Sequence, residues 1–165
     1  MLAGTKNYQG IWLDESDPSV VRVIDQNRLP FFFETRELRS VEDVYTAIST
    51  MTVRGAPLIG AAAAFGIYLA TFELSRNADH VHQLENAARY LVSCRPTAVN
   101  LSAALNFVMD RIRNNPADSS LRETALKAAL DLCEQEKENC RLIGINGLPL
   151  IEDAGKRKNG NPVNI

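Results

Sequence analysis

Residues 52–66 read "TVRGAPLIGAAAAFG", and the fold turns on how that run is taken. Pro57 suits the first turn of a helix, where its missing N–H would go unpaired anyway. From Leu58 onward almost every residue is small and apolar, with no polar face to meet water. A helix apolar on every side belongs inside a core or a membrane. The apolar run Ala56–Phe72 is slightly short for a span and rich in Ala and Gly rather than Leu, which favours a buried core helix extending to about Ser75. At its mouth stand Arg54 and Gly55. Helix N-termini carry unpaired N–H groups and roughly half a positive charge, so they receive anions readily. Gly55 clears a side chain from the approach, and Arg54 adds a cation whose fork matches a phosphate. Spacing alone leaves a plainer alternative open, in which Arg54 pairs with a carboxylate and Gly55 makes a turn.

Upstream, "GIWLDESDPSVVRVIDQ" (10–26) predicts a hairpin, with Ile11–Leu13 and Val20–Ile24 flanking the turn signal "SDPS". "RLPFFFETREL" (28–38) predicts a third strand with Pro30 at its start. "DQNRLP" (25–30) reads as a turn with a local Arg28–Asp25 pair. Helices then dominate. "SVEDVYTAISTM" offers Ser40 as N-cap, Asp43 at the capping-box position and Val41, Val44, Tyr45 and Ile48 on one face. Asp79 caps a helix through "HVHQLENAARYLV", Pro96 breaks it, and Thr97 is placed to cap the next, "AVNLSAALNFVMDRIRN". Ser120 and Glu123 form another capping box, opening a helix through "ETALKAALDLCEQEKENCRLIG". "LPLIEDAGKRKNGNPVNI" (148–165) reads as a polar, Gly-rich turn followed by the start of a strand. A strand of about four residues with no partner after it predicts the front part of something longer, or one chain of a cleaved protein. The expected fold class is therefore α+β: a small antiparallel β-element over residues 1–40, a helical bundle over 41–150, and a linker over 151–165.

The second anion candidate is "CRPTAVN" (94–100), which repeats the pattern of Arg95, Pro96 and a helix start. Two Arg-bearing helix mouths could converge on one anionic ligand, although an exposed Arg in a helix–helix loop has the same spacing. The remaining signals are weaker. Cys94, Cys133 and Cys140 match no CxxC or zinc spacing and read as reduced thiols of a cytosolic protein. His80 and His82 lie on different faces of a helix start. "GKRKNG" and "EQEKE" read as a solvated loop and a solvated helix face. No Ser–His–Asp arrangement and no GxxxxGK phosphate loop is present. The chain has 165 residues, 45% hydrophobic and 23% charged, with a net charge of −2. That composition suits a soluble domain able to bury a core without disulfides or metals, and it argues against nucleic acid as a bulk electrostatic partner.

"DQNRLP", "VRGAPLIGAAAAFG" and "RPTAVNLSAAL", in that order, resemble the N-terminal part of S-methyl-5-thioribose-1-phosphate isomerase, an enzyme of methionine salvage. That family is related to the alpha, beta and delta subunits of translation initiation factor 2B. The resemblance runs from about Gly10 to the last residue. It implies an aldose–ketose isomerase converting S-methyl-5-thioribose 1-phosphate to S-methyl-5-thioribulose 1-phosphate, cytoplasmic and usually a homodimer, with no metal or organic cofactor. It implies substrate contacts at Arg54, Gly55 and Ala56 of "RGAP" and at Arg95 of "RPTAVN". It also implies a larger Rossmann-like α/β domain after the N-terminal one. The family's catalytic Cys lies in a "THCN-x-G"-type motif and its catalytic Asp further on. Neither motif occurs in these residues, and Cys94, Cys133 and Cys140 match other positions. Where the family usually has an aromatic, this chain has an Ala near position 103. Two alternatives stay open: a regulatory or assembly subunit resembling initiation factor 2B alpha, and an isomerase of another pentose 1-phosphate.

Overall fold

The computed structural model describes residues 2–3, 6–75, 79–115, 120–158 and 162. Its strands are β1 (Leu2–Ala3), β2 (Lys6–Asn7), β3 (Ile11–Leu13), β4 (Val21–Ile24) and β5 (Thr35–Leu38). Helices α1 (Val41–Ser49), α2 (Ala56–Ala70), α3 (His80–Cys94), α4 (Val99–Asn114) and α5 (Leu121–Arg157) follow. An antiparallel sheet in the order β3-β4-β5 then precedes five helices, the expected α+β arrangement. The short β1–β2 pairing was not legible in the sequence.

The expected hairpin forms with Ile11 opposite Val23 and Leu13 opposite Val21. The third strand is shorter than its sequence suggests. It covers only Thr35–Leu38, while Pro30 follows a cis peptide in the preceding turn and Phe31, Phe32 and Phe33 are exposed. The reason is pairing: Ile24 at the end of β4 opposes Thr35, and beyond it the Asp25 N–H bonds to the Glu34 carbonyl at 2.9 Å before the chain turns at 26–31.

The bundle is built around α2, whose residues Ile59–Ala70 are all buried. Its small residues allow close approach. A Cβ placed on Gly66 would lie 2.7 Å from a Leu91 methyl of α3 and 3.2 Å from a Val44 methyl of α1. One placed on Gly60 would lie 3.1 Å from the backbone oxygen of Asn100 in α4. Helix α1 begins with the expected reciprocal box: the Ser40 hydroxyl accepts from the Asp43 N–H, and the Asp43 carboxylate accepts from the Ser40 N–H at 3.0 Å. Asp79 likewise caps α3, accepting from the His82 N–H at 3.1 Å.

Two compact units are distinguishable, Met1–Leu132 and Cys133–Ile165. Within the first, the opening turns of α5 bury Leu121, Ala125, Ala128 and Ala129. Arg122 there donates to the Thr71 hydroxyl and carbonyl, both at 3.3 Å, and lies over the Phe72 ring. The second unit carries the rest of α5. That helix continues through Gly147 and Pro149 to Arg157, so the polar turn expected after Leu148 is helical instead. Flanking helix formers and the one-turn pairs Arg141–Glu138 and Arg157–Asp153 work in its favour. Of the strand expected at 162–165, only Pro162 is described, and it lies in no helix or strand.

Candidate functional site

The loop that carries Arg54 is shaped by the backbone before α2. Met51 has φ of 60° and Gly55 has φ of 88°, so the chain turns twice through conformations that L side chains avoid. Gly55 is the N-cap of α2, with nothing within 4 Å of where a Cβ would stand, so glycine is needed there for its backbone angle. Having no side chain, Gly55 gives the first N–H groups of α2 no cap. Arg54, Gly55, Ala56 and Pro57 are all exposed, which leaves this mouth open to solvent.

Among the described residues Arg54 pairs with no carboxylate. Its Nε–H donates to the Met51 carbonyl at 3.0 Å, and its Nη2 donates to the side-chain oxygen of Asn27. Both acceptors are neutral, so the guanidinium charge is held in place without being cancelled. The sequence offers no signal for Asn27 beyond its place in "DQNRLP". Its amide nitrogen donates to the Thr50 carbonyl at 3.1 Å and lies 3.5 Å from the Thr52 hydroxyl, which ties this turn to the α1–α2 loop.

The turn itself corrects one expectation. Asp25 does not pair through its side chain with Arg28. Its carboxylate, 1% exposed, accepts from Arg36 Nε at 2.6 Å and from the Asn27 N–H at 3.0 Å, while Arg28 pairs with Glu34 at 3.1 Å. The β4–β5 register sets this exchange, because Ile24 opposite Thr35 brings Arg36 beside Asp25. Burial works to raise the Asp25 pKa, but the Arg36 hydrogen bond, the Asn27 N–H and the nearby arginine charges outweigh it and hold the carboxyl below its ordinary value.

At the second mouth, Arg95 is the C-cap of α3. The Ala98 N–H bonds back to the Arg95 carbonyl at 3.0 Å, closing a turn with Pro96 and Thr97 at its centre. That geometry removes Thr97 from the capping role expected of it. The N-cap of α4 is Ala98, which has no side chain able to accept a hydrogen bond. The Arg95 side chain is half-buried and makes no hydrogen bond or ion pair among the described residues. Gly60 of α2, about 7.5 Å along the helix from Gly55 at 1.5 Å per residue, lies against Asn100 of α4, so the first turn of α4 meets the second turn of α2. Among the helix starts described, those preceded by Ser40 and Asp79 are capped by a side chain, whereas those beside Arg54 and Arg95 are not.

The sequence and fold comparisons bear on these two loops directly. A model of the "Initiation factor 2 subunit family" matches residues 52–156, more than half of the chain and a range that includes both mouths. The chain belongs to the initiation factor 2 subunit family. Within reach of that family, it is 41% identical over 160 residues to a methylthioribose-1-phosphate isomerase of Desulfatibacillum aliphaticivorans, spanning 97% of this chain and 43% of that protein. It is 40% identical over 166 residues to one of Brucella anthropi, spanning 100% of this chain and 44% of the relative. Among solved structures, the delta subunit of translation initiation factor eIF-2B from A. fulgidus matches with a TM-score of 0.73 and 34% identity, over 80% of this chain and 38% of that one. The 5-methylthioribose 1-phosphate isomerase of Pyrococcus horikoshii matches with a TM-score of 0.70 and 32% identity, over 79% and 37%. The chain thus spans less than half the length of these family relatives.

The other polar candidates do not gather into a site. Burial pushes the Cys133 thiol up to about 11, with Glu134 and Glu136 adding to the effect, and burial also raises Cys94. Such thiols are poor nucleophiles at neutral pH. The His80 ring lies 3.1 Å from the Ser75 carbonyl, and His82 faces Asn86 at 3.4 Å. Among the described residues no group of His, Cys, Asp and Glu could hold a metal ion, and no helix is long and apolar enough to cross a membrane. A groove of about 430 Å³ between α1 and α3, lined by Glu42, Glu73, Gln83 and Tyr90 among others, is separate from the mouths in sequence and carries acidic rather than basic groups.

Proposed function

We propose that this chain is the phosphate-gripping N-terminal part of an aldose–ketose isomerase that converts S-methyl-5-thioribose 1-phosphate to S-methyl-5-thioribulose 1-phosphate. The observation that carries the reading is the pair of helix mouths, on helices in contact near their starts, without side-chain caps and each with an arginine that no carboxylate neutralises among the described residues. In this reading Arg54 and Arg95 take the phosphate oxygens, and the backbone N–H groups near Gly55 and Ala56 complete the cradle. Charge-assisted hydrogen bonds of this kind fix the sugar's orientation as well as holding it. The names of the relatives support the choice of substrate.

The chemistry needs a group that moves a proton between C2 and C1 after ring opening. Neither Cys94 nor Cys133 suits that task, their thiols being raised by burial. Following the family resemblance rather than any described residue, the reading assigns the acid–base pair, a Cys and an Asp, to a Rossmann-like partner domain. It further takes the protein to act as a cytoplasmic homodimer and to need no cofactor.

Calorimetric titration of this chain with ribose 1-phosphate and with S-methyl-5-thioribose 1-phosphate tests the grip. Saturable binding weakened by both Arg54→Ala and Arg95→Ala is expected. Unchanged affinity in both variants contradicts the reading. The similarity to the eIF-2B delta subunit favours a second reading, a regulatory or assembly subunit. Under that alternative the chain would be retained by guanine-exchange factor subunits and would ignore pentose 1-phosphates. Preference for a pentose 1-phosphate without the methylthio group would point instead to a related isomerase.

A further inference from the structure

We infer that Asn27 is a positioning residue for the anion site: a neutral clamp that aims Arg54 while leaving its charge for the ligand. The inference rests on the phosphate-gripping reading and deepens it. An exposed arginine that must meet a phosphate faces two competing hazards. Left loose, it loses side-chain entropy when it binds. Tied to a carboxylate, it arrives already neutralised and must break an ion pair. An amide oxygen avoids both, because it accepts the hydrogen bond and carries no net charge.

The surroundings of Asn27 fit this role. Its oxygen accepts from Arg54 Nη2, and the Met51 carbonyl takes Nε–H at 3.0 Å, so two neutral acceptors hold one edge of the guanidinium. The Nη1 side then has no protein partner among the described residues. The opposite end of the same amide donates to the Thr50 carbonyl at 3.1 Å, which fixes which way the oxygen faces. The backbone of Asn27 is fixed in turn by the buried Asp25 carboxylate, at 3.0 Å from its N–H. Asp25 is the carboxylate of this turn, two residues away, and Arg36 occupies its other oxygen at 2.6 Å. Arg28 is likewise engaged with Glu34 at 3.1 Å. The charges of the turn are thus taken up by Arg36 and Glu34, and the turn presents only a neutral group to Arg54.

Two substitutions separate aiming from mere support. Asn27→Ala removes the clamp. Asn27→Asp keeps an acceptor of the same shape, adds the charge that the native residue lacks and gives up the donor to the Thr50 carbonyl. Binding of inorganic phosphate and of ribose 1-phosphate to the whole chain is followed by calorimetry, together with the 15N resonance of Arg54 Nε. Circular dichroism verifies that each variant is folded. Arg54→Ala should weaken binding by about tenfold or more, the loss of one charge-assisted bond. Asn27→Asp should approach the same loss, because its carboxylate neutralises Arg54, and Asn27→Ala should lose a smaller factor with a shifted, averaged Nε resonance. The double variant Arg54→Ala with Asn27→Asp should bind no worse than Arg54→Ala alone. If Arg54→Ala weakens binding while Asn27→Asp binds as tightly as the native chain, the clamp is refuted and the anion site stands. If the native chain binds neither probe, or Arg54→Ala binds equally well, the phosphate-gripping reading fails and takes this inference with it. Should Asn27→Ala not fold, the near-isosteric Asn27→Asp decides alone.

Discussion

Arg54 and Gly55 do different work within one dipeptide, and their substitutions should fail in different ways. Gly55 has φ of 88° with open space where a Cβ would go, so Gly55→Ala meets backbone strain and no clash. A residue held in such a region costs on the order of 1–3 kcal/mol. A urea melt should show that loss of stability. Arg54→Lys should leave stability nearly unchanged, because the side chain is exposed, yet it should weaken phosphate binding: an ammonium lacks the planar fork that touches both Asn27 and a ligand. Calorimetry on the two variants checks the contrast. Local chemistry in the sequence points to Arg54, Gly55 and Arg95 while leaving plainer roles open, and the family resemblance adds Ala56 and tips the balance. Local chemistry could not mark Asn27, whose importance lies in a contact across 27 positions. The same blindness to long-range contacts made Arg28 look like the partner of Asp25, where strand register supplies Arg36 instead.

At the scale of elements, α2 is the piece on which the others align. Alanine ordinarily favours a helix over glycine by about 1 kcal/mol. Gly66→Ala should nonetheless destabilise the protein by about 1–3 kcal/mol, because its methyl would sit 2.7 Å from Leu91 and 3.2 Å from Val44. Thermal unfolding gives the sign. Gly60→Ala presses on the backbone of α4 at Asn100 rather than on a flexible side chain, so it should disturb the alignment of the two mouths and weaken anion binding as well. Loss of the α1 cap in Ser40→Ala should cost about 1 kcal/mol, with no effect on binding. Helices α1, α2 and α3 were legible because their signals are local: a capping box, a Pro in the first turn, an Asp cap. The start of α4 was not, since the turn closed from Ala98 to Arg95 uses up Thr97 before it can cap. The course of α5 through Gly147 and Pro149 runs against the propensity of those two residues, which outweighs the helix formers and one-turn ion pairs around them when the sequence is taken locally.

For the molecule as a whole, pH and surface exposure give two further readouts. The Asp25 carboxyl is held below its ordinary value, as are those of Asp14 and Asp17, the first mainly through Ser16 and Arg22 and the second mainly through Ser19. A lowered folded-state pKa means that the stabilisation is present above the ordinary carboxylate value, about 3.9, and is lost as pH falls through the lower folded value. Stability should therefore fall on acidification below about pH 4, and Asp25→Asn should reduce that dependence. Tyr90 works at the other end of the scale. The Glu42 hydrogen bond and burial push it up to about 12, so its contribution should persist to pH 10 and fade as pH rises toward that value. Within the unit Cys133–Ile165, Leu142, Ile143, Ile145, Leu148, Leu150 and Ile151 are exposed. The isolated chain should bind a hydrophobic dye and tend to associate, which light scattering and dye fluorescence would register.

The most direct test is a crystal structure of the chain with a pentose 1-phosphate. The account predicts the phosphate at the starts of α2 and α4, with Arg54 and Arg95 guanidinium nitrogens about 2.7–2.9 Å from its oxygens and the Ala56 N–H turned toward it. A sugar phosphate seated elsewhere, with both arginines directed only at protein acceptors, would contradict it.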